Sequence, residues 1–164
     1  MTLLVTPVTS TDEMHQALAL RRKVFIDEQG IPEALEIEDP HDKDPSTIHF
    51  VGIDAETGEY VAVARCVVDE CNRTAKFSRV AVEAKFRGKH FGAELMNAIE
   101  NHVRDRVDMF ALSSQYPRKG FYEKCGYRCT SDERYCHFEG GIEHCYMVKP
   151  ATRKIDRDEV AEST

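Results

Sequence analysis

The sequence predicts a mixed α/β (α+β) fold, a mostly antiparallel sheet of about seven strands with helices on both faces. Three observations predict it. Short β-compatible runs at residues 3–8, 48–54, 60–68 and 74–82 follow one another across turn-forming residues, the pattern of an antiparallel meander. Val80, Ala81 and Val82 then give way to Phe91, Leu95, Ala98, Ile99 and Val103 at helical spacing, so the period changes across a basic, glycine-containing loop. Met109–Ser113 reads as a short buried strand after that helix, which completes a strand–helix–strand unit.

Leu3–Val8 is the first strand. Ser10 with Glu13 forms a capping box, so a helix begins there and runs through Met14, Ala17, Leu18, Leu20, Arg21, Val24, Phe25 and Glu28. Arg21 to Lys23 form a basic patch beside its apolar face, and Gly30 and Pro32 end it. The segment to Pro45 is a loop or short helix made acidic by Glu33, Glu36, Glu38, Asp39, Asp42 and Asp44. The next two strands flank Glu56-Thr57-Gly58, a hairpin signal, and the strand at 74–82 returns through the polar turn at 69–73. After the helix at 91–106 and the buried strand, Pro117–Lys124 is a short helix stopped near Gly126. Tyr127–Thr130 and Ile142–Val148 are the last strands, joined through Gly140 and Gly141. Residues 1–149 are expected to form one domain, and the polar, aperiodic residues 150–164 a flexible tail.

Composition bounds the function. With 164 residues, 41% of them hydrophobic, the chain is long enough for one sizeable core. It has no apolar run near the 18 or so residues of a membrane span. No secretory leader is evident, so the cytoplasm is the expected compartment, with the nucleus left open, and the six cysteines are expected as thiols. A net charge of −7 disfavours a nucleic-acid surface. Cys136, His137, His144 and Cys145 cluster, but adjacent residues on a strand point to opposite faces, so no metal site is expected.

The loop after Val82 carries the chemistry. A basic turn that opens into a helix N-terminus presents backbone N–H groups and the positive end of the helix dipole, which suits phosphate oxygens. Gly88 and Gly92 permit close backbone approach, and Arg87 and Lys89 add charge; an ordinary strand-to-helix turn is the bland alternative. Arg87-Gly88-Lys89-His90-Phe91-Gly92-Ala93 resembles the Arg/Gln-X-X-Gly-X-Gly/Ala loop of the GNAT superfamily of acetyl-CoA-dependent N-acetyltransferases. In that family the loop holds the CoA pyrophosphate. His90 departs from the pattern, standing where the first glycine is usual.

Phe121-Tyr122-Glu123-Lys124-Cys125-Gly126-Tyr127 is similar to the Phe-Tyr-X-Lys-X-Gly-Phe/Tyr motif of the same superfamily. Arg21 to Pro32 and Gly141-Ile142-Glu143-His144 resemble its ElaA-like branch, so the likeness spans roughly residues 15–149. The resemblance implies a GNAT-like fold and direct transfer of acetyl from acetyl-CoA to an amine, without a metal. It gives Val80, Ala81 and Val82, the loop residues Arg87, Gly88, Lys89, His90, Phe91, Gly92 and Ala93, and Lys124 to the cofactor. It makes Tyr122 the catalytic group beside the thioester sulfur; packing on the sheet is the other reading of that side chain.

The acceptor side is read from the residues themselves. With the turn near Cys71 and Asn72, Arg65 falls opposite Arg79, and like charges facing one another call for an anion between them. That anion is an internal carboxylate such as Glu28 or Glu36, or a group on the acceptor. Glu28, Arg65, Arg79 and His144 are therefore the candidate substrate-binding residues, with His144 a base, a hydrogen-bond donor or a structural histidine. The expected partner is a small-molecule amine met by a monomer or homodimer, with no nucleic acid or membrane. The acidic segment would suit a polyamine or a lysine side chain, and the arginines an acceptor that also carries a carboxylate or phosphate; Phe121 to Gly126 also resembles the motif of glucosamine-6-phosphate N-acetyltransferases, which implies a sugar phosphate as the alternative acceptor. A CoA-binding regulatory module without turnover is the reading from another class.

Overall fold

In the computed structural model, residues 2–37, 39–130, 137–139 and 141–152 are described. Their strands are β1 (Leu3–Pro7), β2 (Thr47–Asp54), β3 (Tyr60–Asp69), β4 (Thr74–Val82), β5 (Met109–Gln115), β6 (Arg128–Cys129), β7 (His137–Glu139) and β8 (Ile142–Pro150). Helices are α1 (Thr11–Arg21), α2 (Glu33–Glu36), α3 (Phe91–Val103) and α4 (Lys119–Lys124). The sheet runs β1-β2-β3-β4-β5-β8-β6, with β7 paired to β8. Every neighbouring pair is antiparallel except β4 and β5, which α3 connects in parallel. The mixed, mostly antiparallel sheet is as the sequence predicts. The three-residue β7 was not anticipated; it completes a hairpin with β8 around Gly141, whose φ is +80°. Cys136, Gly140 and the tail from residue 153 lie outside the described residues.

Each face of the sheet has its own core. On one, Phe91, Leu95, Met96, Ile99 and Val103 recur at helical spacing along α3 and pack on Phe50, Ala62, Ala64, Phe77 and Phe110. On the other, Ala17, Leu20, Val24 and Phe25 pack on Val51, Val63 and Ala81. Burying each large side chain of this kind stabilises the fold by about 1.5–3 kcal/mol. The strands supply both cores by alternation: Phe50 faces α3 and Val51 faces α1.

Two irregularities set up the site. The first helix stays α-helical only to Arg21 and continues as a π-helix over Arg22–Glu28, where Gln29 N–H reaches back to Val24 O at 3.1 Å. The wider turn rephases the end of the helix and brings Gln29 to the sheet. The second is a β-bulge in β4. Arg65 pairs with Ser78, but Val63 pairs with Ala81, so one extra residue enters at Arg79, whose φ is 53°. Ala75 and Phe77 face α3 while Ala81, at the same parity, faces α1, as a one-residue slip requires.

Candidate active site

β4 and β5 are paired only from Thr74–Met109 to Phe77–Leu112. Beyond the bulge they splay, and a cleft of about 800 Å³ opens between them towards the π-helical segment and α2. A second cleft of about 320 Å³ lies against the loop before α3. Val80, Ala81, Val82, Arg87, Arg118 and Tyr122 line both, so the two meet at Tyr122.

The loop-side cleft is built from backbone. Glu83 N–H donates to Val61 O at 2.8 Å, so alternation turns the N–H and C=O of Val82 away from β3; the carbonyl accepts from Arg87 Nε at 2.9 Å, and the N–H is left towards the splay. At α3, Glu94 N–H takes His90 O at 3.1 Å, whereas Phe91, Gly92 and Ala93 N–H belong to the first turn, which has no intrahelical acceptors. Gly88 and His90 have φ of +81° and +64°. The left-handed conformation at His90 explains the glycine of the family pattern, and a side chain there costs about 1–2 kcal/mol.

The loop residues serve different ends. Arg87, Gly88, His90, Phe91, Gly92 and Ala93 line the smaller cleft. Lys89 sits over the Phe86 ring at 5.4 Å, and Lys124 is exposed and lines neither cleft. A Cβ on Gly92 would lie 3.0 Å from the Phe121 ring, so this glycine makes room for Phe121 as well as for an approaching ligand.

Tyr122 is 8% exposed and packs edge-on against Phe121 and Tyr127. Burial pushes its phenol up to about 12, with Arg118 working against the shift. The motif's other tyrosine is structural: Tyr127 O–H donates to the buried Glu100 at 2.8 Å, and Glu100 also accepts from Lys149 Nζ at 2.7 Å. Burial raises the Cys125 thiol as well, which lowers its thiolate fraction.

On the acceptor side the structure corrects the expected register. Arg65 stands opposite Ser78, to which its Nε donates at 3.0 Å, and the bulge turns Arg79 to the same face. The anion between the two arginines is internal. Arg65 meets Asp39 at 2.8 Å and Asp42 at 2.9 Å; Arg79 meets Glu36 at 2.8 Å and Asp39 at 3.2 Å. A third arginine joins them. Arg21, expected on a surface patch, is fully buried and donates to Glu36 at 2.7 Å, to Asp42 at 2.9 Å and to the Glu36 carbonyl. Burial raises the Glu36 carboxyl, with Arg79 and Arg21 opposing it. Burial also works to raise Asp39 and Asp42, but their bonds to Arg65 and Arg21 prevail and hold both below the ordinary aspartate value. Glu36, Asp39 and Asp42 are thus matched charge for charge by the three arginines and offer no open cation trap.

Glu28 binds Arg87 through both guanidinium nitrogens, at 2.8 and 3.1 Å, and is not part of either lining. His144 lines the larger cleft, with Nδ1 on Ile142 O at 2.7 Å. Two further lining residues, Gln115 and Arg118, had no signal in the sequence, and Gln29 had one only as part of the resemblance over residues 21–32. Gln29 and Gln115 exchange amide hydrogen bonds at 3.2 and 2.7 Å, and Arg118 stands where the clefts join. Among the described residues no group of three or more His, Cys, Asp or Glu is placed to hold a metal, and no helix is long and apolar enough to cross a membrane.

Comparison with known proteins agrees with this geometry. The profile of the Acetyltransferase (GNAT) family matches residues 13–127. YyaT, an uncharacterized protein of Bacillus subtilis strain 168, is 29% identical over 149 residues, covering 90% of this chain and 96% of its own length. The crystal structure of Escherichia coli ElaA shares the fold with a TM-score of 0.75 at 24% identity, over 90% of this chain and 99% of that one. An aminoglycoside 6'-N-acetyltransferase complexed with coenzyme A shares it with a TM-score of 0.70 at 17% identity, over 92% and 98%.

Proposed function

The chain belongs to the GNAT family of acetyltransferases, and from that membership we propose that it transfers the acetyl group of acetyl-CoA to a primary amine of a small molecule by direct attack. The observation that carries the proposal is Tyr122, buried at the junction where the backbone-lined cleft meets the cleft towards the π-helical segment and α2. In this reading acetyl-CoA lies along the splayed Val80–Val82 edge, with its pyrophosphate on the first turn of α3. A neutral amine attacks the thioester carbonyl, a C–N bond forms and the C–S bond breaks. The oxyanion is stabilised by the backbone N–H of Val82.

The raised phenol refines the role of Tyr122. Burial makes the Tyr122 phenol hold its proton more tightly than a free tyrosine does. Tyr122 therefore acts as a neutral O–H donor that stabilises the departing sulfur, and the amine's proton leaves to solvent. Removing one such preorganised donor typically costs about 10²–10³-fold in rate. Tyr122→Phe is expected to lower turnover by that factor while the KM for acetyl-CoA holds, measured as thiol release over an amine panel. Equal rates in the two proteins would return Tyr122 to the core.

A further inference from the structure

The acceptor end of the larger cleft combines a closed charge count with a half-buried hydrogen-bonding pair. Arg21, Arg65 and Arg79 are matched by Glu36, Asp39 and Asp42, so the wall nearest the bulge offers an acceptor neither a free cation nor a free anion. Arg87 is likewise held by Glu28. The other charged lining groups stand apart: Arg118 at the junction with the loop-side cleft, and Lys76 and Asp69 towards the β3–β4 turn.

Gln29 and Gln115 are brought together from 86 residues apart, one at the end of the π-helical segment and the other at the end of β5. Together they bridge the face of the splay on the α1 side. A primary amide has two N–H donors and two acceptor lone pairs, and the reciprocal bonds use one of each. Each amide keeps one donor and one acceptor. Ser113 and Tyr146, which pair across β5 and β8 in the same lining, add hydroxyls with the same dual character.

Resting on the acetyl-transfer reading, we propose that the acceptor is a hydroxylated amine with no second charge, an amino sugar or amino alcohol, and that the Gln29–Gln115 pair selects it. A hydroxyl both donates and accepts and so satisfies what the amides leave open. A carboxylate or phosphate only accepts, and a second ammonium only donates, so either leaves half of the amide groups unpaired. Sites that hydrogen-bond a substrate group discriminate strongly against analogues that leave their polar groups unmet.

The test is kcat/KM for thiol release with glucosamine, ethanolamine, glucosamine 6-phosphate, alanine and spermidine. Glucosamine or ethanolamine should exceed the three charged acceptors at least about tenfold, a conservative share of the discrimination that hydrogen-bonding sites reach. Gln115→Leu and, separately, Gln29→Leu should raise the KM for that amine by roughly tenfold or more while kcat and the melting-temperature rise with CoA hold. Gln115→Glu should shift preference towards spermidine. Preference for a phosphorylated, carboxylated or second-ammonium acceptor in the wild type, or an unchanged KM in both leucine variants, would overturn the assignment. Calorimetry of the same amines with the CoA-loaded protein separates the two readings. Selective binding of a hydroxylated amine without thiol release removes the transfer reading and keeps the acceptor class, and absence of such binding and release removes the acceptor class.

Discussion

The two ends of the cleft are built from different materials. The loop end is backbone: first-turn N–H groups of α3 and the splayed edge of β4, shaped by Gly88, His90 and Gly92. The acceptor end is side chain: three arginines and three carboxylates drawn from α1, α2, the segment at 39–42, β3 and β4. A site made of peptide groups depends on local conformation and little else, so it can be written in a seven-residue motif. A site made of ion pairs depends on partners 15 to 43 residues apart, and each is stable only while the others are in place.

That difference predicts which substitutions act on which end. The largest effect is expected at Arg21, fully buried against the equally buried Glu36. Arg21→Met should lower stability by about 3–5 kcal/mol, because breaking a buried pair leaves its partner charge uncompensated. For a protein of this size that is a fall of roughly 6–20 °C in melting temperature. CoA should still raise the melting temperature of the variant, since the loop end is independent of the arginine. Loss of the CoA response would mean that the two ends are one cooperative unit.

Gly92→Ala probes the opposite end. The new methyl meets the Phe121 ring at 3.0 and 3.2 Å, and overpacking of this kind costs about 1–3 kcal/mol. CoA affinity should fall with stability. Adding Phe121→Ala should recover stability if the clash is the cause, and chemical denaturation of the single and double variants measures the recovery. No recovery would place the cost in the α3 backbone.

The smallest effect sharpens the backbone argument. His90→Gly should stabilise by about 1 kcal/mol or less, the relief of a left-handed side chain being partly offset by the greater unfolded-state freedom of glycine. CoA affinity measured by titration should stay the same or tighten. A destabilised variant would show that the His90 side chain makes a contact worth more than its strain.

The features legible in the sequence are those fixed by near neighbours. The alternation of β2 to β4, the i, i+4 stripe of α3, the Ser10–Glu13 cap and the two motifs each depend on residues within a turn or a strand of one another. The Ser10 Oγ bond to Glu13 N–H at 3.1 Å is such a local feature. The register of β3 on β4 was legible only in part. Counting from the turn places Arg65 opposite Arg79, but the bulge shifts the pairing by one, and no residue type announces a bulge that a non-glycine residue occupies. Arg21 reads as part of a surface patch because a run of three basic residues is normally solvated. Its burial follows from the acidic segment folding back over α1, which the helix pattern cannot contain.

By itself, then, the sequence determined the order and type of the main elements and the candidate status of the loop at 87–93 and of Tyr122, because backbone conformation and short-range periodicity are local properties. Tertiary structure alone decided that Glu36, Asp39 and Asp42 are spent on arginines within the fold, that Glu28 holds Arg87, and that Gln29 and Gln115 meet. Those contacts join chain segments through the π-helical turn, the bulge and the parting of β4 from β5. Charge pairing and amide pairing are decided by which side chains arrive at the same point in space, and that is set only when the whole sheet closes.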